Sequence, residues 1–161
     1  MTQIKQGNIQ VGEAAPDFTL NDQNGKPVRF TGLLGKTAIV LYFYPKDNTA
    51  GCTAEACAFR DSYEAFNDAG ATVVGVSADS AESHQAFASR HSLPFILLSD
   101  PDSVVHKLYG VGKKLGFITS RETFVIDRQG IVRQHFVSQL NATKHVTEAL
   151  QTLKSMQTTQ A

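Results

Sequence analysis

The sequence predicts an α/β domain with a central mixed β-sheet flanked by helices and an N-terminal β-hairpin extension. Three observations carry this. Thr37 to Tyr44 (TAIVLYFY) is dense in β-branched and aromatic residues, the mark of a strand buried on both faces. Helical and strand-like segments alternate after it, and crossover helices make strands pair in parallel. A late pair of strand-like runs, Glu122 to Ile126 and Ile131 to Phe136, is joined by Asp127-Arg-Gln-Gly130, so an antiparallel hairpin joins the sheet.

Taken in order, Val11 to Pro16 reads as a lead-in loop. Asp17 to Leu20 and Pro27 to Phe30 flank Asn24-Gly25, a strong hairpin turn signal. The central strand leads to a turn-rich loop, Pro45 to Gly51. Cys52 to Ala69 reads as a helix, because Ala56, Phe59, Tyr63 and Phe66 recur at helical spacing. Ala71 to Val76 is a strand, Ser80 to His91 a helix and Pro94 to Leu98 a short strand. Asp100-Pro-Asp-Ser103 opens a short helix that ends near Gly110. Asn141 caps a final helix through about Met156, and the polar tail from Ser155 to Ala161 is expected to fray. This element order is a thioredoxin-like layout. The loop after the central strand lies at the carboxyl end of the sheet, where open α/β sheets bind ligands.

The chain has 161 residues, enough for one domain spanning 1–161 with a core of its own. Fifteen Lys plus Arg balance fifteen Asp plus Glu, so no net charge favours nucleic acid or an anionic membrane. No apolar run approaches the roughly 20 residues of a membrane-spanning helix. Met1 to Gln10 is polar and unlike a secretory signal. A cytoplasmic protein is expected, or a plastid stromal one where a transit peptide has been removed. Cys52 and Cys57 are the only cysteines, and His84, His91, His106, His135 and His145 are scattered. That is too few and too dispersed for a zinc site, so no metal is expected. Lys46 and Asp47 read as loop charges, and the histidines as surface or packing residues.

Cys52 falls in the first turn of its helix, where free N–H groups and the dipole favour an anion such as a thiolate. It also lies on the apolar stripe, so it points inward. Cys57 lies on another side of the helix. Five residues along an intact helix separate the two Cα atoms by roughly 8.6 Å, beyond the usual disulfide limit of about 6.8 Å. Bonding would therefore require the first turns to unwind. On this spacing alone two unrelated cysteines are the slightly favoured reading, because C-x4-C is not a strong motif. Glu55, three residues after Cys52, pairs with Arg121 or caps the helix, and a solvated face residue fits about as well.

The stretch Tyr42-Phe-Tyr-Pro-Lys-Asp-Asn-Thr-Ala-Gly-Cys-Thr-Ala-Glu-Ala-Cys57 contains Pro45-x-x-x-Thr49-x-x-Cys52. It resembles the active-site signature of the peroxiredoxins, in the branch called PrxQ or bacterioferritin comigratory protein. Ala15-Pro-Asp-Phe18, Gly75-Val-Ser-Ala-Asp79 and Arg121-x-Thr-Phe-Val-Ile-Asp127 extend the resemblance over most of the chain. The segment after Gly110 is most similar to chloroplast and cyanobacterial members.

The resemblance implies a thiol peroxidase for hydrogen peroxide and organic hydroperoxides, with no haem, flavin or other cofactor. Cys52 matches the peroxidatic cysteine and Cys57 the resolving one, which close an intramolecular disulfide that thioredoxin or a similar dithiol protein reduces. Thr49 matches the threonine that orients thiolate and peroxide, Pro45 the residue that shields the pocket, and Arg121 the arginine reaching in from a distant strand. Members of this kind are often monomers. One residue departs from the pattern: Ala50 stands where the branch usually has proline, so a less rigid loop is expected. The chemistry suits these residue types. A cysteine of ordinary pKa, about 8.5, is roughly 3% thiolate at pH 7, so a lowered pKa alone gains only about thirtyfold. A fast peroxidase must also align the two oxygens and stabilise the leaving one. Three rival readings are a peroxide sensor or relay passing oxidation to a partner, a thiol–disulfide oxidoreductase, which the missing C-x-x-C disfavours, and a non-enzymatic binding module.

Overall fold

The computed structural model describes residues 9–114 and 118–159. The expectation of a polar, signal-free start therefore falls mostly outside the described residues, as do the last two residues of the tail. The elements are β1 (Thr19–Asp22), β2 (Pro27–Arg29), α1 (Phe30–Leu33), β3 (Ala38–Phe43), α2 (Ala50–Asp61), α3 (Tyr63–Asp68), β4 (Ala71–Ser77), α4 (Ala81–His91), β5 (Ile96–Ser99), α5 (Val104–Leu108), β6 (Lys113–Lys114), β7 (Ile118–Thr119), β8 (Glu122–Ile126), β9 (Val132–Val137) and α6 (Lys144–Thr159). Seven strands form one sheet in the order β2-β1-β5-β4-β3-β8-β9. β4 runs parallel to β3 and β5, while β8 pairs antiparallel with β3 and β9. This is the mixed sheet the sequence predicts.

β3 is buried along its whole length, and its alternation serves two cores. Val40 and Tyr42 face one, with Phe59, Phe66, Phe87 and Leu153 from α2, α3, α4 and α6. Ile39, Leu41 and Phe43 face the other, with Phe18, Phe30, Val105 and Tyr109. Period-two side chains covered by helices on both faces explain the unbroken apolar run.

Gly75 on β4 makes room for the first core. A Cβ there would lie 2.8 Å from Cζ and 2.9 Å from Oη of Tyr42, and 2.9 Å from Leu97 Cδ2. Tyr42 in turn stacks on Phe59 at 4.5 Å. Overpacking of this kind costs about 1–3 kcal/mol. Gly75→Ala should therefore lower Tm by about 2–10 °C in a thermal melt; an unchanged Tm would show that the Tyr42 ring can shift freely.

Several expectations need correcting. The Cys52 to Ala69 helix is two helices, because the chain leaves helical geometry at Ser62 (φ −101°, ψ 11°). Phe59 and Phe66 still meet across the break at 5.5 Å, so the apolar stripe hid it. The first strand of the hairpin lies later than expected, the second starts at Pro27 as expected, and Phe30 opens α1 instead of ending β2. α5 starts at Val104, after Asp100-Pro-Asp-Ser103, and the Asp100 carboxylate caps it by accepting from the N–H groups of Val104 (3.1 Å) and His106 (2.9 Å). Asn141 offers its carbonyl to Lys144 N–H, and α6 begins only there. α6 then runs to Thr159, past Ser155 where fraying was expected. The small β6–β7 ribbon was not foreseen.

Candidate active site

β3 ends at Phe43 and delivers the chain through residues 44–49 to the N-terminus of α2. Pro45 is half-buried at the exit of the strand. Thr49 is the N-cap residue by backbone geometry (φ −84°, ψ 154°) but makes no side-chain cap bond. Its hydroxyl is exposed and donates to Lys46 O at 2.8 Å, which leaves its lone pairs free to accept. Ala50, Gly51 and Cys52 are the first three helical residues, whose N–H groups have no intrahelical partner. Their positive end faces the Cys52 side chain region.

Cys52 is 1% exposed and belongs to the first core with Tyr42 and Phe59. Both cysteines are free and α2 is continuous from one to the other. Cys57 is partly buried on another side of the helix.

Arg121 arrives from the residue before β8. Its Nη2 donates to Cys52 Sγ at 3.5 Å and its Nη1 to Glu55 Oε1 at 2.7 Å. Nε donates to Gln139 O at 3.3 Å, and the Gln139 side chain accepts from the Arg121 backbone N–H at 3.0 Å. The fork is thus held at three edges, and one of its nitrogens is aimed at sulfur. Gly51 clears the way, because a Cβ there would lie 3.0 Å from Nη2. The structure therefore brings Cys52 and Arg121 together, with Thr49 at the start of the same helix and Pro45 in the loop before it.

Glu55 is neither a cap nor a solvated residue. It is fully buried, and burial raises its carboxyl to about 8 against the opposing pull of Arg121. The signal was available: Glu55 stands three residues from Cys52, on the same helical face. Nothing in the sequence pointed to Gln139.

Asp47 is not a solvated loop charge. It is 4% exposed and accepts from Tyr44 Oη (2.6 Å) and Ser83 Oγ (2.9 Å). His84 Nδ1 lies 2.7 Å from Asp47, and its Nε2 lies 2.9 Å from Leu98 O. The backbone N–H of Asp47 donates to Asp79 at 2.8 Å. His84 is fully buried, as His145 is, so these histidines are packing residues with defined partners and not surface groups. Asp47, Asp79 and His84 hold ligand-type atoms within 4.8 Å of one another. Each is already engaged by protein donors or acceptors, so the trio acts as an anchor that pins the loop to β4 and α4.

Ala50 occupies the first helical position, where proline is favoured, and Thr49 before it already has the extended backbone that proline requires. Ala50→Pro should stabilise the reduced protein by about 0.4–1 kcal/mol, or about 1–4 °C in Tm. A fall in Tm would mean that the Ala50 N–H has a structural partner.

The AhpC/TSA family model matches residues 11–135. Among curated proteins, "Peroxiredoxin Q, chloroplastic" of Sedum lineare is 50% identical over 149 residues, 92% of this chain and 80% of that one. Among solved structures, peroxidoxin BcpB from Mycobacterium tuberculosis aligns with a TM-score of 0.86 at 37% identity, covering 92% of this chain and 98% of that one. The Xanthomonas campestris bacterioferritin comigratory protein, whose structures concern its alkyl peroxide reduction activity, aligns with a TM-score of 0.77 at 29% identity over 90% and 97% of the two chains.

Proposed function

From the premise that the chain belongs to the AhpC/TSA family and is a thiol peroxidase, we propose that Cys52 is its peroxidatic residue and Cys57 its resolving residue, in one chain, without a metal or other cofactor. The observation that carries this is the Cys52 sulfur, buried in the first turn of α2 and 3.5 Å from the Arg121 guanidinium.

The Cys52 thiolate attacks the nearer oxygen of the hydroperoxide. An S–O bond forms and the O–O bond breaks, so sulfur is oxidised to sulfenic acid and the distal oxygen leaves as water or alcohol after taking a proton. Arg121 Nη2 and the first N–H groups of α2 offer donors to the charge that moves onto oxygen. Thr49 Oγ, with its own proton committed to Lys46 O, accepts the O–H of the peroxide and sets its orientation. Pro45 screens the loop side of the pocket. The first turns of α2 then unwind, the Cys57 thiolate attacks the sulfenic sulfur, and hydroxide leaves as the disulfide forms. A dithiol protein of the thioredoxin type reduces that bond by exchange. Hydrogen peroxide and small organic hydroperoxides fit this site.

Pairing within one chain supports action as a monomer. Relatives named chloroplastic support a plastid stroma beside the cytosol as the compartment. Among the described residues, no helix is long and apolar enough to cross a membrane.

The test is one equivalent of peroxide added to reduced protein, followed by intact mass and thiol count. Loss of two hydrogens and both thiols, with no cross-linked dimer, is the expected result. A dimer or an unreacted chain would overturn the pairing. Cys57→Ser should consume one equivalent per chain and then stop in the presence of thioredoxin, with sulfinic acid accumulating at Cys52 under excess peroxide. Sustained cycling by that variant would remove Cys57 from the mechanism.

A further inference from the structure

Glu55 is the sole ionisable side chain between the two cysteines. It is fully buried and bridges to Arg121, the same guanidinium that touches Cys52. Its second oxygen, Oε2, has no hydrogen-bond partner. Among the described residues, Arg121, Tyr42 and His145 face it, and Cys52 shares the Arg121 guanidinium with it. Arg121, from the start of β8, carries the positive charge and divides it between Glu55 and Cys52. Tyr42 on β3 and Cys52 on α2 itself add no cation. His145, on α6, lies 3.8 Å from Oε2. Its Nε2 contacts the Ser138 carbonyl at 2.8 Å and so must donate, while Nδ1 is taken by the Thr123 hydroxyl at 2.8 Å. Burial also holds His145 below its ordinary range. With both ring nitrogens engaged elsewhere, His145 offers Glu55 no hydrogen bond.

An orphaned carboxylate oxygen in a dry site is costly, and a proton on it removes most of that cost. We propose that Glu55 is a positioning residue: as a protonated carboxyl it keeps the reduced site closed, and it releases that proton to water when residues 52–57 unwind to form the disulfide. The proposal rests on the Cys52–Cys57 pairing above.

The geometry requires the coupling. An intact helix holds the two Cα atoms about 8.6 Å apart, too far to bond. Whatever unwinding closes that gap moves the residues between them, so Glu55 must leave its cavity and Arg121. In the closed form the carboxyl is raised to about 8, and in water it returns to its ordinary value of 4.5. The closed form thus binds the proton more tightly. Between those limits, rising pH favours the open, oxidised form; below 4.5 both forms hold the proton, and above 8 neither does. While Glu55 is neutral, the Arg121 charge acts on Cys52 alone. The oxidation itself is balanced without this residue: the S–S bond replaces two thiols, the peroxide or a disulfide takes the electrons, and the Glu55 proton is released in addition.

The test is an equilibrium that needs no turnover. The full chain and its Glu55→Gln and Glu55→Asp variants are equilibrated with a dithiothreitol redox couple from pH 5 to 7.5, and free thiols are counted by mass. One linked proton makes the disulfide constant of the wild type change about tenfold more per pH unit than that of Glu55→Gln, equivalent to about 30 mV per pH unit. Glu55→Asp should keep the steeper slope. Parallel lines with an intact disulfide overturn the coupling alone, even if one line is offset, because an offset is all that a packing role produces. A wild type that forms no disulfide overturns the pairing and the coupling together. If Glu55→Gln does not fold, the infrared difference spectrum of the wild type decides. A protonated-carboxyl C=O band lost on oxidation near pH 6.5 is expected, and its absence overturns the proposal.

Discussion

Replacing Cys52 by serine should remove peroxide consumption, with a loss on the order of 10⁶, the scale seen when a nucleophile is deleted. The hydroxyl is a close steric match at a position only 1% exposed, so the fold should persist. What disappears is the nucleophile. Arg121 and the helix N–H groups can bind a peroxide but cannot oxidise themselves, and only a thiolate sulfur can take the oxygen. Cys57 is no substitute, because it is partly buried five residues further along α2, past the first turn whose free N–H groups and guanidinium contact serve Cys52. The measurement is loss of peroxide in the presence of a dithiol reductant, with circular dichroism as the control for folding. Retained turnover would place the reactive thiol at Cys57.

Much of this architecture was written locally. The β3 run, the Ser80 cap of α4, whose hydroxyl accepts from Ser83 N–H at 3.1 Å, and the Cys52 stripe each depend on neighbours within a turn or two. Asp47 was not legible as a buried group, and for Glu55 the pairing with Arg121 was only one of three open readings. Each is buried because of partners far along the chain: His84, 37 residues away, for Asp47 and Arg121, 66 residues away, for Glu55. A charged residue gives no local sign that a distant cation or histidine will meet it, and its average behaviour is exposure. The split at Ser62 was invisible for a different reason. Two short helices in register present the same apolar stripe as one long helix, so the spacing of Phe59 and Phe66 could not tell them apart. Arg121 was singled out only through a resemblance to a family, since an arginine before a strand is otherwise an ordinary surface charge.

Arg121→Ala should slow the reaction with peroxide by about 10²–10³, the scale of one lost transition-state donor. The side chain makes two contacts that bear on chemistry, one to the sulfur at 3.5 Å and one to Glu55 at 2.7 Å. Only the first can stabilise charge on the oxygens. The second ties the donor to the helix that carries the nucleophile, so that fork and sulfur move as one unit. Loss of the fork should therefore act on the peroxide half of the cycle. On the proposed unwinding, residues 52–57 leave the guanidinium before the disulfide is reduced, so that half should change by less than about threefold, within the ordinary scatter of surface effects. Rapid mixing with each substrate separately, read by mass after quenching, gives the two rates. Arg121→Lys keeps the charge but cannot span sulfur and carboxyl together, so it should recover only part of the loss. Equal slowing of both halves would mean that Arg121 holds the fold, and an unchanged peroxide rate would mean that the helix N–H groups stabilise the leaving oxygen without it.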